Sequence, residues 1–330
     1  MGMLRWMSAL ALAGLLFATG AQAEAIKVGI LKVGASGPLY IAAERGYFAA
    51  ENVQVALTDF GAGQAVAVAV ASGDIDIGVT GLTAGLYNLA ANGQIRVVAG
   101  LHREARGFRT QGYFASKRAY DAGLTSLKDI AGHSVALTTI GSTTHYALAL
   151  LAMKYGFPLD SVRVLALQSN TNSAAAVVGG QADVAMAAST MEADIEKGGA
   201  KLLGWVGDET PWQIGSVFVT GRTADERGDM IRRFQVALAK GARDYHDAFT
   251  GAQELRADGS TAPAVLAIMS KYLGAPPEKL DGEVPYVDPQ LRLDLRDMAR
   301  QIDWYRSQGM VRGEITVDKL VDKRYARPLQ

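Results

Sequence analysis

The sequence contains no cysteine among its 330 residues. Without thiols the chain cannot form disulfides, zinc–thiolate sites, iron–sulfur clusters or a cysteine nucleophile. It also has no excess of one charge, because 33 Lys and Arg residues balance 33 Asp and Glu residues. Proteins that neutralise nucleic-acid phosphates usually carry a basic excess. The composition therefore excludes thiol chemistry and argues against nucleic-acid binding.

Long hydrophobic runs are also lacking, and the one clear apolar run lies at the N-terminus. Arg5 precedes the run from Met7 to Phe17, and Ala21-Gln22-Ala23 follows it. A basic start, a short apolar run and small residues at the end are typical of a cleaved secretory signal. The run is shorter than the ~20 residues that a membrane-spanning helix needs. We therefore expect residues 1–23 to be a signal peptide and the mature protein, starting at Glu24, to be periplasmic.

What the chain has in plenty is glycine, 37 residues, and a hydrophobic fraction of 49%. This fraction is typical of a globular protein, and the length favours two domains. Apolar strand-like segments alternate with helical ones, a pattern that predicts parallel βαβ units. The sequence thus predicts an α/β fold.

An internal repeat supports two lobes of similar design. Each copy opens with a strand, a glycine and hydroxyl residues before a helix, with Gly34 in the first copy and Gly141 in the second. Each copy closes on a similar Gly-x-x-Asp phrase, which ends at Asp76 and Asp183. Both pairs are separated by the same 107 residues. We interpret the two aspartates as residues of turns and strand ends, not as ligand contacts.

The loops that follow the repeated strands predict the binding site. Ligands of open parallel sheets bind beyond the carboxyl ends of the strands, where helix N-termini offer unpaired N–H groups. If the lobes face each other, four such loops converge on a neutral pocket suited to an anion or a polar molecule. Each hydroxyl could instead serve only as a helix N-cap. The predicted contacts from these loops are Ser36, Gly37, Thr80, Gly81, Thr83, Ser142, Thr143, Thr144, Ser189 and Thr190.

Three further side chains are candidate ligand contacts. Arg109, or its neighbour Arg106, could pair with a carboxylate or sulfonate, although a solvated basic loop is an equal alternative. Tyr40 and Trp212 could stack on a flat ring, although aromatic residues of this kind also pack in cores.

Several segments resemble the sulfonate, nitrate, taurine and thiamine-precursor solute-binding proteins. They are Gly37 to Ala42, Glu44 to Phe48, Ser72 to Asp76, Ser126 to Gly132 and Gly141 to Thr144. The resemblance implies a type II periplasmic-binding fold with a ligand cleft between two lobes. It implies that residues 24–111 and 221–330 form lobe one, that residues 112–220 form lobe two, and that the helices after Thr223 wrap onto lobe one. It also implies delivery of the solute to an ABC permease in the inner membrane.

An enzyme is the alternative class. Thiamine-pyrimidine synthases resemble the same family but use a cysteine-rich motif, which this chain lacks. Ser142 and His145 could form a nucleophile–base pair, but no acid near them in sequence would orient the histidine, so we expect His145 to be packed or partly exposed. The other histidines lack metal spacing.

We therefore expect a monomeric binding protein without cofactor, metal or catalytic residues. Its ligand would be a small organic anion or an aromatic solute of sulfonate, carboxylate or pyrimidine type. A secreted hydrolase, a pyrimidine-synthase relative and a ligand sensor remain as alternatives.

Overall fold

The computed structural model describes residues 24–329, so the predicted signal peptide lies outside the described residues. The first part of the chain, before it crosses from lobe one to lobe two, contains β1 (Glu24–Leu31), α1 (Gly37–Glu44), α2 (Tyr47–Ala50), β2 (Val53–Phe60), α3 (Gly63–Ser72), β3 (Ile77–Gly81), α4 (Ala84–Ala91), β4 (Ile95–Gly100) and β5 (His102–Glu104).

The middle of the chain contains β6 (Gln111–Ala115), α5 (Lys117–Asp121), β7 (Ser134–Leu137), α6 (Thr143–Tyr155), β8 (Arg163–Ala166), α7 (Asn170–Val178), β9 (Val184–Ala188), α8 (Glu192–Lys197), β10 (Lys201–Trp205), α9 (Val206–Glu209) and β11 (Trp212–Gln213).

The remainder contains β12 (Gly215–Thr220), α10 (Gly221–Glu226), α11 (Gly228–Phe249), α12 (Ala262–Leu273), α13 (Pro277–Leu280), β13 (Tyr286–Val287), β14 (Arg292–Leu293), α14 (Leu295–Ser307), α15 (Val317–Leu320) and β15 (Arg327–Pro328). Short 3₁₀ helices cover Gly34–Ser36, Leu127–Ile130, Leu159–Ser161, Ser189–Met191, Ala252–Glu254 and Asp281–Glu283.

Two five-stranded sheets form the two lobes. Their strand orders are β2-β1-β3-β12-β4 and β10-β6-β9-β7-β8. In the first sheet β1 is parallel to β2 and β3, whereas β12 is antiparallel to β3 and β4. In the second sheet β7 is parallel to β8 and β9, and β6 is antiparallel to β9. The predicted α/β fold with two lobes is confirmed.

The repeat is visible in the positions of the elements. β3 and β9 are related by the 107-residue offset at both ends. The two repeated aspartates also make equivalent bonds. The Lys27 backbone N–H donates to the Asp76 carboxylate at 2.8 Å, and the Ser134 backbone N–H donates to the Asp183 carboxylate at 2.9 Å. Each aspartate therefore holds the first strand of its copy beside the third. This agrees with the interpretation of both residues as parts of turns and strand ends.

The return from lobe two differs from the prediction. The resemblance assigns residues 112–220 to lobe two, but β12 lies in the first sheet, with Val217 opposite both Val79 and Ala99. Its residues between Gly215 and Val219 are buried, and a buried strand must pair its backbone groups on both sides. The crossing therefore falls before Gly215. A small sheet of order β11-β5-β13 lies at the crossings.

Helix α11 covers one face of the first sheet. Its buried residues recur every three or four positions, the spacing of an amphipathic helix, and they pack on α1. At the point of contact a Cβ on Gly241 would lie 2.2 Å from the Pro38 carbonyl oxygen. Only glycine therefore allows these two helices to approach so closely.

Helix α14 does not simply wrap onto lobe one as predicted, because it packs against both lobes. Tyr305 of α14 donates a hydrogen bond to the Ser142 carbonyl at 3.0 Å, and Trp304 packs on Tyr146 of α6 with ring centroids 5.4 Å apart. On the other side, Tyr87 of α4 donates to Gln301 at 2.8 Å. We call the rings of Tyr87, Tyr146, Trp212, Trp304 and Tyr305 the interlobe aromatic cluster.

Within residues 24–329 no helix combines the length and the apolar character that crossing a membrane requires.

Candidate ligand-binding cleft

A cleft of about 1010 Å³ lies between the lobes. The carboxyl ends of β1, β2 and β3 open onto it from one side, and those of β7, β8 and β9 from the other. This is the position in which parallel α/β sheets bind ligands. The segments that line it include 33–36, 61–64, 79–81, 83–85, 138–144, 168–170 and 110–111.

Residues 141–144, which lead into α6 and which we call the lobe-two junction, carry three hydroxyls that have two different roles. Ser142 is the N-cap of α6 and accepts a hydrogen bond from the His145 backbone N–H at 3.3 Å. Thr144 is buried and bonds to the Ser142 hydroxyl at 2.8 Å. Thr143, the first residue of the helix, is half-buried in the cleft wall, and its hydroxyl has no hydrogen-bond partner among the described residues. Thr143 is therefore the hydroxyl at this helix end that a ligand can use.

The lobe-one junction shows the same division. The Ser36 hydroxyl donates to the Leu31 carbonyl at 2.7 Å, and Thr83 caps α4 by accepting from the Leu86 N–H at 3.2 Å. The buried Thr80 hydroxyl has no partner within the described chain. Gly81 brings the two junctions together, since a Cβ at this position would lie 2.7 Å from Thr143 Cγ2.

Buried polar atoms without a hydrogen-bond partner concentrate in this cleft. Within residues 24–329 the lining residues that carry such side-chain atoms are Thr80, His102, Glu104, Thr110 and Asn170. Buried polar groups are otherwise nearly always paired, because an unmade hydrogen bond costs about 1–3 kcal/mol. Both lobes and the crossing contribute to the set. It therefore forms a polar site that can be satisfied by a molecule held between the lobes.

The floor of the cleft is acidic. Glu104 of β5 is only 1% exposed, and burial raises the pKa of its carboxyl to about 8. The Thr110 hydroxyl beside it lowers that pKa without reaching hydrogen-bond geometry, and the charge of Asp208 raises it. His102 lies on the same side of the strand, two residues earlier, and burial lowers its pKa to about 4, so it is neutral at pH 7.

Among the described residues, the cleft lining contains a single arginine and no lysine. Arg312 is exposed and lines the cleft from the loop after α14. Neither Arg109 nor Arg106 is among the lining residues. Arg109 is exposed, with its guanidinium 5.8 Å from the centre of the Trp205 ring.

Five other predicted contacts lie outside the cleft lining. The buried Tyr40 ring stacks on Tyr272 at 4.7 Å, and the buried Trp212 belongs to the interlobe aromatic cluster, so both aromatic residues take the core alternative. Gly37 faces Tyr245, since a Cβ there would lie 2.6 Å from that ring. Ser189 donates its hydroxyl to the Gly282 carbonyl, and Thr190 follows it outside the lining.

Some lining residues were missed by reasoning from sequence. Gln168, Ser169 and Asn170 follow β8, and the repeat offset relates them to Gly61, Ala62 and Gly63 after β2. The repeat was therefore a signal that could have located this pair of loops. Glu104 precedes Arg106 and Arg109 in the same segment, but only the two arginines were predicted as ligand contacts. The alternation of a strand separates Glu104 and His102 from Arg103 and would have favoured the acid.

The possible Ser142–His145 pair is not arranged for catalysis. The His145 ring nitrogen Nδ1 accepts a hydrogen bond from the Gly141 backbone at 3.2 Å, and the ring packs edge-on against Trp304. Burial lowers the pKa of His145 to about 4. The expectation that this histidine is packed is therefore confirmed. Among the described residues, no group of three or more His, Asp or Glu side chains is placed to hold a metal ion.

A family model described as NMT1/THI5 like matches residues 35–248, which is more than half of the chain. The chain therefore belongs to the NMT1/THI5-like family. No curated protein matches the sequence significantly.

Solved structures share the periplasmic-binding-protein fold. The alkanesulfonate-binding protein SsuA of Xanthomonas axonopodis pv. citri, bound to MOPS, is 18% identical with a TM-score of 0.70, covering 92% of this chain and 99% of that one. The ligand-binding component of an ABC-type import system from Staphylococcus aureus, with zinc bound, is 16% identical with a TM-score of 0.69, covering 92% and 97%.

A mutant of DszB in complex with biphenyl-2-sulfinic acid is also similar, with 16% identity, a TM-score of 0.59, and coverage of 93% of this chain and 97% of that one. The fold is thus shared by proteins whose bound molecules differ.

Proposed function

We propose that this protein is the extracytoplasmic solute-binding component of an ABC importer. It captures one small organic molecule between its lobes and presents it to a permease of the inner membrane. The observation that carries the proposal is the set of unpaired buried polar atoms that both lobes and the crossing direct into one cleft. The N-terminal segment with its Ala-x-Ala ending supports a periplasmic location.

The cleft supports a small solute with both polar and apolar parts. Its volume lies at the upper end of the range typical of small-molecule sites. Thr143 at the N-terminus of α6 supports contact with an acceptor group, because the first N–H groups of a helix lack partners within the helix. A sulfonate, a carboxylate or a pyrimidine-type solute meets these conditions.

Binding without catalysis is the role we infer for the site. The serine and histidine of the α6 junction are engaged in capping and packing, and the 330 residues provide no thiol. The similarity to DszB supports no specific chemistry here, since no described side chain in the cleft pairs a nucleophile with a base.

Thermal melting against a solute panel tests the proposal. The protein is unfolded, dialysed and refolded, so that bound molecules are removed, and is then screened with alkanesulfonates, aromatic carboxylates, taurine, nitrate and pyrimidines. A solute present at 100 times its Kd stabilises the folded chain by about 2.7 kcal/mol. We expect at least one class to raise the Tm.

The variant Thr143→Phe should abolish this shift, because a bulky ring would fill the space at the helix end. Thr125→Phe, at an exposed threonine that does not line the cleft, is the matched control and should keep it. A panel without any hit, or a hit that Thr143→Phe leaves unchanged, would contradict the proposed role of the cleft.

A further inference from the structure

The carboxyl group of Glu104 is the most unusual group in the cleft. It is 1% exposed, and neither of its oxygens has a hydrogen-bond partner in the described chain. Leaving a buried charge without a partner is strongly unfavourable, by several kcal/mol in most settings. A carboxyl group in this state calls for a partner that arrives with the ligand.

The surroundings of Glu104 disfavour an anion at this end of the cleft. Asp208 of α9 is close enough to raise the pKa of Glu104. The pKa of Tyr113 of β6 is raised by burial and, to a smaller extent, by Glu104. His102 on the same strand is neutral at pH 7. Among the described residues no Lys or Arg lowers the pKa of Glu104. An anion would find no arginine here, and it would favour the protonated form of Glu104 over the ionised one.

The nearby arginines are turned to other partners or lie at the surface. Arg103 lies over the Tyr286 ring, with its guanidinium carbon 4.4 Å from the ring centre. Arg312 lines the cleft from an exposed position, on a loop that Asn88 anchors by accepting the Arg312 backbone N–H at 2.8 Å. The cleft is therefore asymmetric, with an acidic floor and with its positive features, Arg312 and the N-terminus of α6, elsewhere in its wall.

We propose that the ligand carries a protonated nitrogen, an amine or an amidine, whose N–H groups donate to both oxygens of Glu104. The proposal rests on the solute-binding role given above and narrows the ligand class from a simple organic anion to a cation or a zwitterion. If the ligand were a nitrogen-free sulfonate or carboxylate, one oxygen of Glu104 would face the negative oxygens of the ligand.

The test uses matched probes that differ at one group. The pairs are taurine with ethanesulfonate and benzamidine with benzamide, measured by calorimetry on the refolded chain at pH 7. We expect the cationic member of at least one pair to bind at least tenfold more tightly than its partner. Glu104→Gln should lower that affinity at least tenfold, whereas Glu226→Gln, at an exposed glutamate of α10, should leave it unchanged.

The pH dependence gives an independent readout that needs no variant. Because the pKa of Glu104 in the free protein is about 8, most of its carboxyl groups are protonated at pH 7. Binding of a cation must then release close to one proton, and the affinity should rise from pH 6 towards pH 8 and level off above it. Heats measured in two buffers of different ionisation enthalpy report the released proton.

The outcomes separate the two proposals. If ethanesulfonate and benzamide bind as tightly as taurine and benzamidine, the inference is wrong while the solute-binding role stands. The same conclusion follows if the affinity for ethanesulfonate falls as the pH rises through 8, because Glu104 then acts as a protonated donor to an anion. Equal affinity in Glu104→Gln, with the variant folded by circular dichroism, also overturns it. If no member of these pairs and no solute of the melting panel binds, the solute-binding role itself fails.

Discussion

Thr143 and Ser142 are neighbours in the chain, yet their hydroxyls have different tasks. Ser142 caps α6, whereas Thr143 faces the cleft without a partner. The sequence could predict that hydroxyls gather at this junction, because strand–glycine–hydroxyl–helix is a recurring pattern. It could not say which hydroxyl the backbone would use, since that depends on the dihedral angles of the turn.

Removing each hydroxyl should therefore change a different property, ligand affinity for Thr143 and stability of the folded chain for Ser142. Thr143→Ala should weaken binding of the solute found by melting by about 0.5–1.5 kcal/mol, the usual worth of one hydrogen bond, and leave the Tm of the free protein nearly unchanged. Ser142→Ala should lower the free energy of unfolding by about 1 kcal/mol through loss of the cap and keep the affinity. Calorimetry and melting on the same two variants test both statements. Affinity lost only in Ser142→Ala would reverse the assignment.

Side chains such as Arg109, Tyr40 and Trp212 show why contacts are hard to predict from residue type. Guanidinium and aromatic groups suit ligand binding and core packing equally well, and only the tertiary contacts decide between them. Here Tyr40 and Trp212 are buried in ring clusters, and Arg109 points outward to Trp205.

At the scale of elements, the repeat was the most reliable sequence signal. It predicted two lobes of similar design, and the alternation of strands and helices within each lobe predicted the parallel strands whose edges form the cleft. The crossing at β12 was missed because β12 is a buried apolar strand like those of either lobe, and its pairing partners lie more than a hundred residues away in the chain. Local patterns carry no information on that choice of sheet.

The aspartate that ends each repeat should matter for stability and not for binding. Burial opposes ionisation of Asp183, but hydrogen bonds from the Ser134 backbone and hydroxyl, together with Arg118, outweigh it and lower the pKa of the carboxyl. Asp183→Ala should therefore lower the free energy of unfolding by about 1.5–3 kcal/mol at pH 7, the range for hydrogen bonds to charged groups.

The contribution of Asp183 has a defined pH window. A carboxyl with a lowered pKa stabilises the folded state above its ordinary value, about 3.9, and loses that effect as the pH falls through the folded-state pKa. The free energies of unfolding in urea of parent and variant should begin to converge near pH 4 and become equal as the pH falls through the lowered pKa of Asp183. A constant difference down to pH 2, or a loss of ligand affinity in the variant at pH 7, would show that this aspartate acts in another way.

At the scale of the whole molecule, we expect the lobes to close on the ligand. Cleft residues of both lobes must reach one small molecule, so the closed form should bind it better and be favoured by it. Small-angle scattering should give a smaller radius of gyration with the solute than without it. Thr143→Phe with the same solute serves as the control, and an unchanged radius for the parent at saturation would count against a closing cleft.

The N-terminal segment gives a prediction for the exported chain. Mature protein recovered from the periplasm should begin at or near Glu24, since the Ala-x-Ala site ends at Ala23. N-terminal sequencing or intact mass measures this directly. Recovery of exported protein that retains Arg5 would show that the segment is not removed.

Helix α14 also bears on how the chain reaches its folded form. Strand β12 belongs to lobe one but follows lobe two in the chain. Helix α14 at residues 295–307 completes a core to which α4 and α6 also contribute. During synthesis, which starts at the N-terminus, neither lobe has all its packing partners until this late helix has been made. We therefore expect a chain that ends before residue 295 to fold less stably than the full chain. If residues 1–23 direct export, as the sequence predicts, this order of assembly delays completion of the fold until the segment after lobe two has been made.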